Sequence, residues 1–148
     1  MQLMKTWLEE CKHGHWSCSE KQAQGFLPTR LLDLQATGSG DNLRLIASAS
    51  LDKVGRVLDY MTLSHCWGLS NKHPITLLRG NIDNRMASIA MDDLSNTFRE
   101  VIQLTRQLGI RYPLIDSLCI VQDEEEDWSE NQHAWQTYME THTVHLPR

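Results

Sequence analysis

The most apolar stretch of the chain lies at residues 111–122, which read RYPLIDSLCIVQ. Its apolar run begins after Pro113, is interrupted by Asp116 and Ser117, and ends before the acidic residues 123–127. A run of this length and composition predicts a buried strand over residues 114–121. Because burying an ionised carboxylate is costly unless it is paired, we expect Asp116 to have a partner or to face a polar cleft.

The residues before this run have the periodicity of an amphipathic helix that starts near Asp92. Its inward positions recur at helical spacing, and they are Leu94, Phe98, Val101, Ile102, Thr105 and Leu108. Asp93 and Ser95 suit the start of a helix, and Gly109 suits its end. A helix that leads into an apolar strand predicts an α/β fold, with a mixed or parallel sheet flanked by helices.

Three further strands are expected in the N-terminal part of the chain. Residues 29–34 and 43–49 surround the turn sequence TGSGD and predict a β-hairpin. Residues 60–67, YMTLSHCW, predict a third strand that ends at Gly68. The motif SHCWG would then lie at a strand end, where α/β proteins place residues that contact ligands.

The remaining segments predict two helices and a loop. Residues 1–12 form an amphipathic pattern that ends near Gly14, and residues 71–91 lack periodicity, which indicates a surface loop with at most a short helical turn. The acidic residues 123–127 suit the start of a last helix. Its expected buried stripe consists of Trp128, Trp135, Tyr138 and Met139.

Composition excludes several classes of partner. The 148 residues carry a formal net charge of −5, so we expect no binding to a nucleic-acid backbone. The absence of an apolar run of membrane-spanning length, or of a signal peptide at the N-terminus, predicts a cytoplasmic chain without membrane contact. The spacing of Cys11, His13, His15 and Cys18 does not match structural zinc sites, so we expect surface histidines at a helix end and no metal.

Two groups of residues suggest chemistry. Ser64, His65 and Cys66 contain a nucleophile beside a base, but adjacent residues of a strand point to opposite faces, so a Cys–His pair is disfavoured. We expect this motif to pack and turn the chain, with Trp67 and Gly68 shaping the wall of a cleft. Asp116 and Ser117 either orient a polar ligand or support the neighbouring turn, and the sequence leaves both alternatives open.

Several motifs, in the same order along the chain, resemble the HET domain of fungal heterokaryon incompatibility proteins. They are YMTLSHCWG at 60–68, TLLRGN at 76–81, the helix at 94–110, LIDSLCIVQD at 114–123 and DW at 127–128. The resemblance implies an N-terminal helix and linker at 1–25 and a HET domain at 26–148. The small-residue strand that usually follows the last helix is not recognised after Tyr138, which predicts a domain truncated at its C-terminal end.

The resemblance also implies a function. HET-domain proteins act in fungal self/non-self recognition and trigger cell death, so protein partners in incompatibility signalling and self-association are expected. The domain is thought to be distantly similar to TIR domains, which have a flavodoxin-like fold and some of which cleave NAD. This chain is then either a signalling module without a cofactor or an NAD glycohydrolase, with NAD as the substrate.

Cleavage of NAD at its glycosidic bond requires a carboxylate. Glu130 has the appropriate position, with Asp116 and Asp127 as further candidates, and Trp128 would lie beside them at the cleft. The alternative interpretation makes Glu130 a solvated helix residue. No glycine-rich phosphate-binding loop is present in the sequence.

Overall fold

The computed structural model describes residues 2–14, 27–35, 42–51, 58–63 and 75–131. The helices are α1 (Gln2–Gly14), α2 (Ile82–Ala87), α3 (Asn96–Leu108), α4 (Asp116–Cys119) and α5, which covers residues 125–131. The strands are β1 (Arg30–Asp33), β2 (Arg44–Ala47), β3 (Tyr60–Leu63) and β4 (Tyr112–Ile115). Short 3-10 turns lie at Ser48–Ser50, Arg79–Asn81 and Met91–Asp93. The fold is mixed α/β, as the sequence predicted.

Two small sheets form the framework. Strands β1 and β2 pair in antiparallel fashion, with Arg30 opposite Ala47 and Asp33 opposite Arg44, which confirms the predicted hairpin. Strands β3 and β4 are parallel, with Tyr60 opposite Tyr112. The two sheets adjoin where the Leu34 N–H donates a hydrogen bond to the Arg111 carbonyl, at 3.2 Å. The predicted parallel pairing is therefore confirmed.

The predicted strand over residues 114–121 is wrong after Ile115. Strand β4 ends at Ile115, and Asp116–Cys119 forms the short helix α4. The Asp116 carboxylate accepts a hydrogen bond from the Ser117 N–H at 2.6 Å. Local hydrogen bonding of this kind by Asp and Ser competes with a strand ladder, so the polar pair ends the strand although apolar residues follow it.

The prediction of a surface loop with a short helical turn over residues 71–91 holds only in part for its described residues, 75–91. Leu77 and Ile89 are fully buried. Leu77 forms an isolated parallel bridge with Val121, and Ile89 forms an antiparallel bridge with Leu43. Helix α2 and a 3-10 turn lie between them. The segment has no sequence periodicity because it joins the core at single residues rather than along one face.

Helix α3 ends at Gly109 as predicted but starts at Asn96 rather than near Asp92, because Met91–Asp93 forms a separate 3-10 turn. Ser95 Oγ accepts a hydrogen bond from the Phe98 N–H at 3.3 Å, and Gly109 adopts a left-handed conformation with φ of 80°. Phe98, Ile102 and Thr105 are buried. This face packs into one core with the strands and with α4, so the helix is a wall of the core as expected.

The N-terminal helix differs from the others in its exposure. Helix α1 confirms the predicted amphipathic helix, and its Leu3, Met4 and Trp7 side chains are exposed to solvent. Within the described residues, no helix combines the length and the apolar character needed to cross a bilayer.

Candidate functional site

Asp116 lies at the carboxyl end of strand β4. It is half-buried and starts helix α4. Its backbone carbonyl accepts hydrogen bonds from the Ile120 N–H at 3.0 Å and from the Gln122 side chain at 3.3 Å. Asp116 therefore lies at an end of the parallel pair, partly accessible to solvent, where ligands bind in many α/β proteins.

Ser117 is fully buried beside Asp116. Its carbonyl accepts a hydrogen bond from the Leu77 N–H at 2.8 Å, which joins α4 to the segment at 75–78. Among the residues that the structure describes, the Ser117 hydroxyl has no hydrogen-bond partner. Because the residue has no exposed surface, it suits packing under Asp116 rather than direct contact with a ligand.

The predicted cleft residues Ser64, His65, Cys66, Trp67 and Gly68 lie outside the described residues. The residue before them, Leu63, ends β3 and pairs with Ile115, the residue before Asp116. The segment 64–68 and Asp116 therefore follow two paired residues at the carboxyl end of the parallel strands.

Asp127 is almost completely removed from solvent, and both of its carboxylate oxygens are engaged. One oxygen forms an ion pair with Arg30, and the other accepts a hydrogen bond from the Val121 N–H at 2.8 Å. Arg30 Nε donates a second hydrogen bond to the Cys119 carbonyl at 2.9 Å. Asp127 therefore joins the start of α5 to β1 and to the chain after α4.

Asn131 extends this connection by one helical turn. It is buried, its amide donates a hydrogen bond to the Asp127 carbonyl at 2.7 Å, and its Oδ1 accepts one from the Thr29 hydroxyl at 3.0 Å. Sequence reasoning missed this role of Arg30, Thr29 and Asn131. The signal available in the sequence was a polar residue one helical turn after Asp127. Its hydrogen-bond partner, Thr29, lies 102 residues away along the chain.

The other predicted residues of α5 are exposed. Trp128 is 47% exposed, so its place in a buried stripe is wrong. Glu130 is also exposed, on a different part of the helix surface from the buried Asn131. The rest of the predicted stripe, Trp135, Tyr138 and Met139, lies outside the described residues.

Part of the acidic segment 123–127 contacts Arg79 rather than only solvent. Asp123 accepts a hydrogen bond from the Arg79 N–H at 2.9 Å, and Glu124 forms an ion pair with the Arg79 side chain at 2.9 Å. Asn81 holds the TLLRGN turn itself, because its side chain bonds the Leu78 N–H at 2.9 Å and the Thr76 carbonyl at 3.1 Å. The TLLRGN motif therefore positions the start of α5.

Sequence reasoning also missed a charged cluster at the other end of β4. The buried Asp33 carboxylate accepts hydrogen bonds from Arg111 Nε at 2.7 Å and from Arg111 Nη2 at 2.9 Å. Burial alone would raise the pKa of Asp33, but hydrogen bonds from Arg111 and the Gln35 N–H, with the charges of Arg111 and Arg44, hold this pKa below its ordinary value. The signal available in the sequence was Asp33 itself, an acidic residue among the apolar residues of β1.

Cysteine and metal chemistry find little support in the described part of the chain. Burial raises the pKa of the Cys119 thiol to about 12, so this thiol is protonated and inert at neutral pH. The described residues contain no group of three or more His, Cys, Asp or Glu side chains arranged to hold a metal ion. His15 and Cys18 of the N-terminal spacing lie outside them.

Comparison of the sequence with models of protein families covers the site and the elements around it. The model of the heterokaryon incompatibility protein (HET) family matches residues 60–145. The match includes the parallel pair β3–β4, helix α3, Asp116 and the start of α5. Comparison with curated proteins and with solved structures found no match. Since the family match covers more than half of the 148 residues, the chain belongs to the heterokaryon incompatibility protein (HET) family.

Proposed function

We propose that the chain is a signalling module in fungal self/non-self recognition, which associates with protein partners and leads to cell death. The observation that carries this proposal is membership of the HET family over residues 60–145. Asp127 is engaged within the fold, since Arg30 and the Val121 N–H contact its two oxygens. An enzymatic role would therefore depend on Asp116 or Glu130.

Inducible expression in a fungal host tests this function. We expect induction to reduce the viable count, and we expect the Leu77→Ala variant, which loses a fully buried side chain, to reduce it less. The matched control is Leu78→Ala, since Leu78 is half-exposed and should tolerate the change. The proposal would be contradicted if viability stayed unchanged although the wild-type protein is present at the level of the control variants. This result would have to hold both in cells grown alone and after fusion with cells of unlike type.

Cleavage of NAD is the second candidate, and the position of Asp116 favours it. Asp116 is half-exposed at the carboxyl end of a parallel strand pair, the usual ligand-binding edge of an α/β sheet. In the proposed reaction, water attacks the ribose carbon that carries nicotinamide. The glycosidic C–N bond breaks, nicotinamide leaves with the bonding electrons, and a carboxylate, Asp116 or Glu130, accepts the proton from water.

Release of nicotinamide from NAD by the purified chain separates the two candidates. Activity that is lost in Glu130→Gln or Asp116→Asn, with the fold retained, would identify the essential carboxylate. An Asp116→Asn variant with nearly unchanged thermal stability supports a ligand-contact role, whereas a loss of several kcal/mol indicates structural support. No release at high protein concentration would leave the signalling module alone.

A further inference from the structure

Arg111 is held firmly beside the buried Asp33. Two of its nitrogens donate to the two carboxylate oxygens, at 2.7 and 2.9 Å, and its guanidinium lies 5.0 Å from the centre of the Tyr112 ring. A fork-shaped pair and an aromatic contact restrict the plane of the guanidinium. The Arg111 side chain nevertheless remains 40% exposed, so its position is fixed while part of its donor surface faces solvent.

Arg44 is a second cation at the same carboxylate, but it is held loosely. Its Nη2 lies 3.6 Å from Asp33 Oδ2, beyond a hydrogen bond of ordinary length. Its Nε is buried and makes no hydrogen bond with the described residues. The side chain is 39% exposed. Arg44 therefore keeps donors that Asp33 does not use.

The charges of this cluster do not balance. One carboxylate lies between two guanidinium groups, since both arginines form ion pairs with Asp33. Within the described ranges, one positive charge of this cluster is left over, on a chain whose formal net charge is −5. Planar guanidinium forks match the oxygens of carboxylates and phosphates, so an acceptor that carries a single negative charge would complete the cluster.

We propose that Arg44 and Arg111 form a binding site for a singly charged oxyanion, a carboxylate or a phosphodiester group of a small ligand. Asp33 aligns Arg111 from beneath, and the unused donors of Arg44 close on the anion from the side of β2. The site is separate from Asp116, because Arg111 precedes β4 and Asp116 follows it. The inference does not depend on the proposed function, and a failure of either leaves the other intact.

Nuclear magnetic resonance of the arginine side chains tests this site. The purified full chain is titrated with acetate and, separately, with dimethyl phosphate, at constant ionic strength maintained with chloride. We expect saturable shifts of the Arg44 and Arg111 Nε–H signals, and the probe that binds more tightly identifies the anion class. Arg44→Gln should weaken binding by about tenfold or more, since hydrogen bonds to charged groups are worth about 1.5–3 kcal/mol.

The control removes the same charge elsewhere. Arg79→Gln changes an exposed arginine that is already paired with Glu124, so it should leave the anion affinity unchanged. Arg44→Lys keeps the charge without the fork and should bind with intermediate affinity. If neither anion gives saturable shifts in the wild type, or if Arg44→Gln and Arg79→Gln change the affinity equally, the site does not exist. Thermal melting of each variant verifies that it is folded.

Discussion

Asp127 and Asp33 are both withdrawn from solvent, and each is neutralised by arginine from another segment of the chain. Asp127 pairs with Arg30 of β1, and Asp33 pairs with Arg111 at the entrance of β4. Removing one member of such a pair leaves the other charge uncompensated inside the protein. The resulting loss of stability is much larger than the difference in stability between the intact pair and a well-packed apolar replacement. These carboxylates therefore determine how the segments assemble, although the sequence singled out Asp127 for ligand contact and did not single out Asp33.

Asp127→Asn should destabilise the protein by about 3 kcal/mol, because Arg30 stays buried without its counter-charge. Urea unfolding of the variant and the wild type measures this difference. Glu126→Gln is the matched control, since Glu126 is an exposed neighbour and its loss of charge should change the free energy of unfolding by less than about 0.5 kcal/mol. Equal effects of the two substitutions would show that the Arg30 pair is not structural.

Asp33 should make the free energy of unfolding depend on pH on the acid side. Its pKa is lowered in the folded state, so the unfolded chain binds more protons and the stabilisation is present above the unfolded value of about 3.9. This stabilisation is lost as the pH falls through the folded pKa of Asp33. Unfolding by urea across this acid range should show a shallower pH dependence for Asp33→Asn. Asp92→Asn, at an exposed position, should keep the wild-type slope.

At the scale of elements, helix α3 was predictable and the strand after it was only half predictable. The apolar spacing, Ser95 and Gly109 each act on residues within about one helical turn, so the helix is encoded locally. The apolar run after Pro113 is encoded less clearly, because a buried strand and a buried helical turn have the same composition. Asp116 and Ser117 select the turn, and Leu77 then pairs with Val121 beyond it.

Gly109→Ala should destabilise the protein by about 1 kcal/mol. Gly109 ends α3 at a φ of 80°, a conformation that costs about 1–2 kcal/mol for a residue with a Cβ atom, and the space around it is open, so strain is the only penalty. Gly80→Ala is the control, because Gly80 also has open space but no left-handed conformation. Thermal unfolding compares the two, and equal shifts in Tm would refute this explanation.

At the scale of the whole molecule, the segment 75–91 changes from an expected loop into part of the core. Its backbone meets α4 through Leu77 and meets β2 through Ile89, and Arg79 secures the start of α5. The TLLRGN and DW motifs, 46 or more residues apart in sequence, thus support one structural unit around the carboxyl end of β4.

Leu77→Ala should cost about 2–5 kcal/mol, the usual range for a buried leucine that leaves a cavity. The adjacent Leu78 is 39% exposed, and Leu78→Ala should cost less than about 1 kcal/mol. Chemical unfolding of both variants provides the measurement. A surface loop at this position would instead make the two substitutions equally mild.

The candidate site was predictable only in part. A strand near 60–67, a strand starting in the run after Pro113 and a mixed or parallel sheet were anticipated, but Asp116 was expected inside its strand and lies after the strand end. The roles of Asp127, Asn131 and Asp33 were not, because each depends on a partner that lies 78 to 102 residues away. Residue type alone does not distinguish a carboxylate that meets a ligand from one that meets an arginine of the same chain.

Local information determined the α/β class, the hairpin, the body of helix α3 with its glycine end, and the membership of the chain in its family. Spacing and end residues act over a few positions, so the sequence carries them directly. Only the tertiary structure decided which carboxylates are engaged by arginine, where the apolar run leaves the strand, and that residues 75–91 belong to the core. Burial and long-range pairing assign these roles, since the free energy of a charged group depends on what surrounds it.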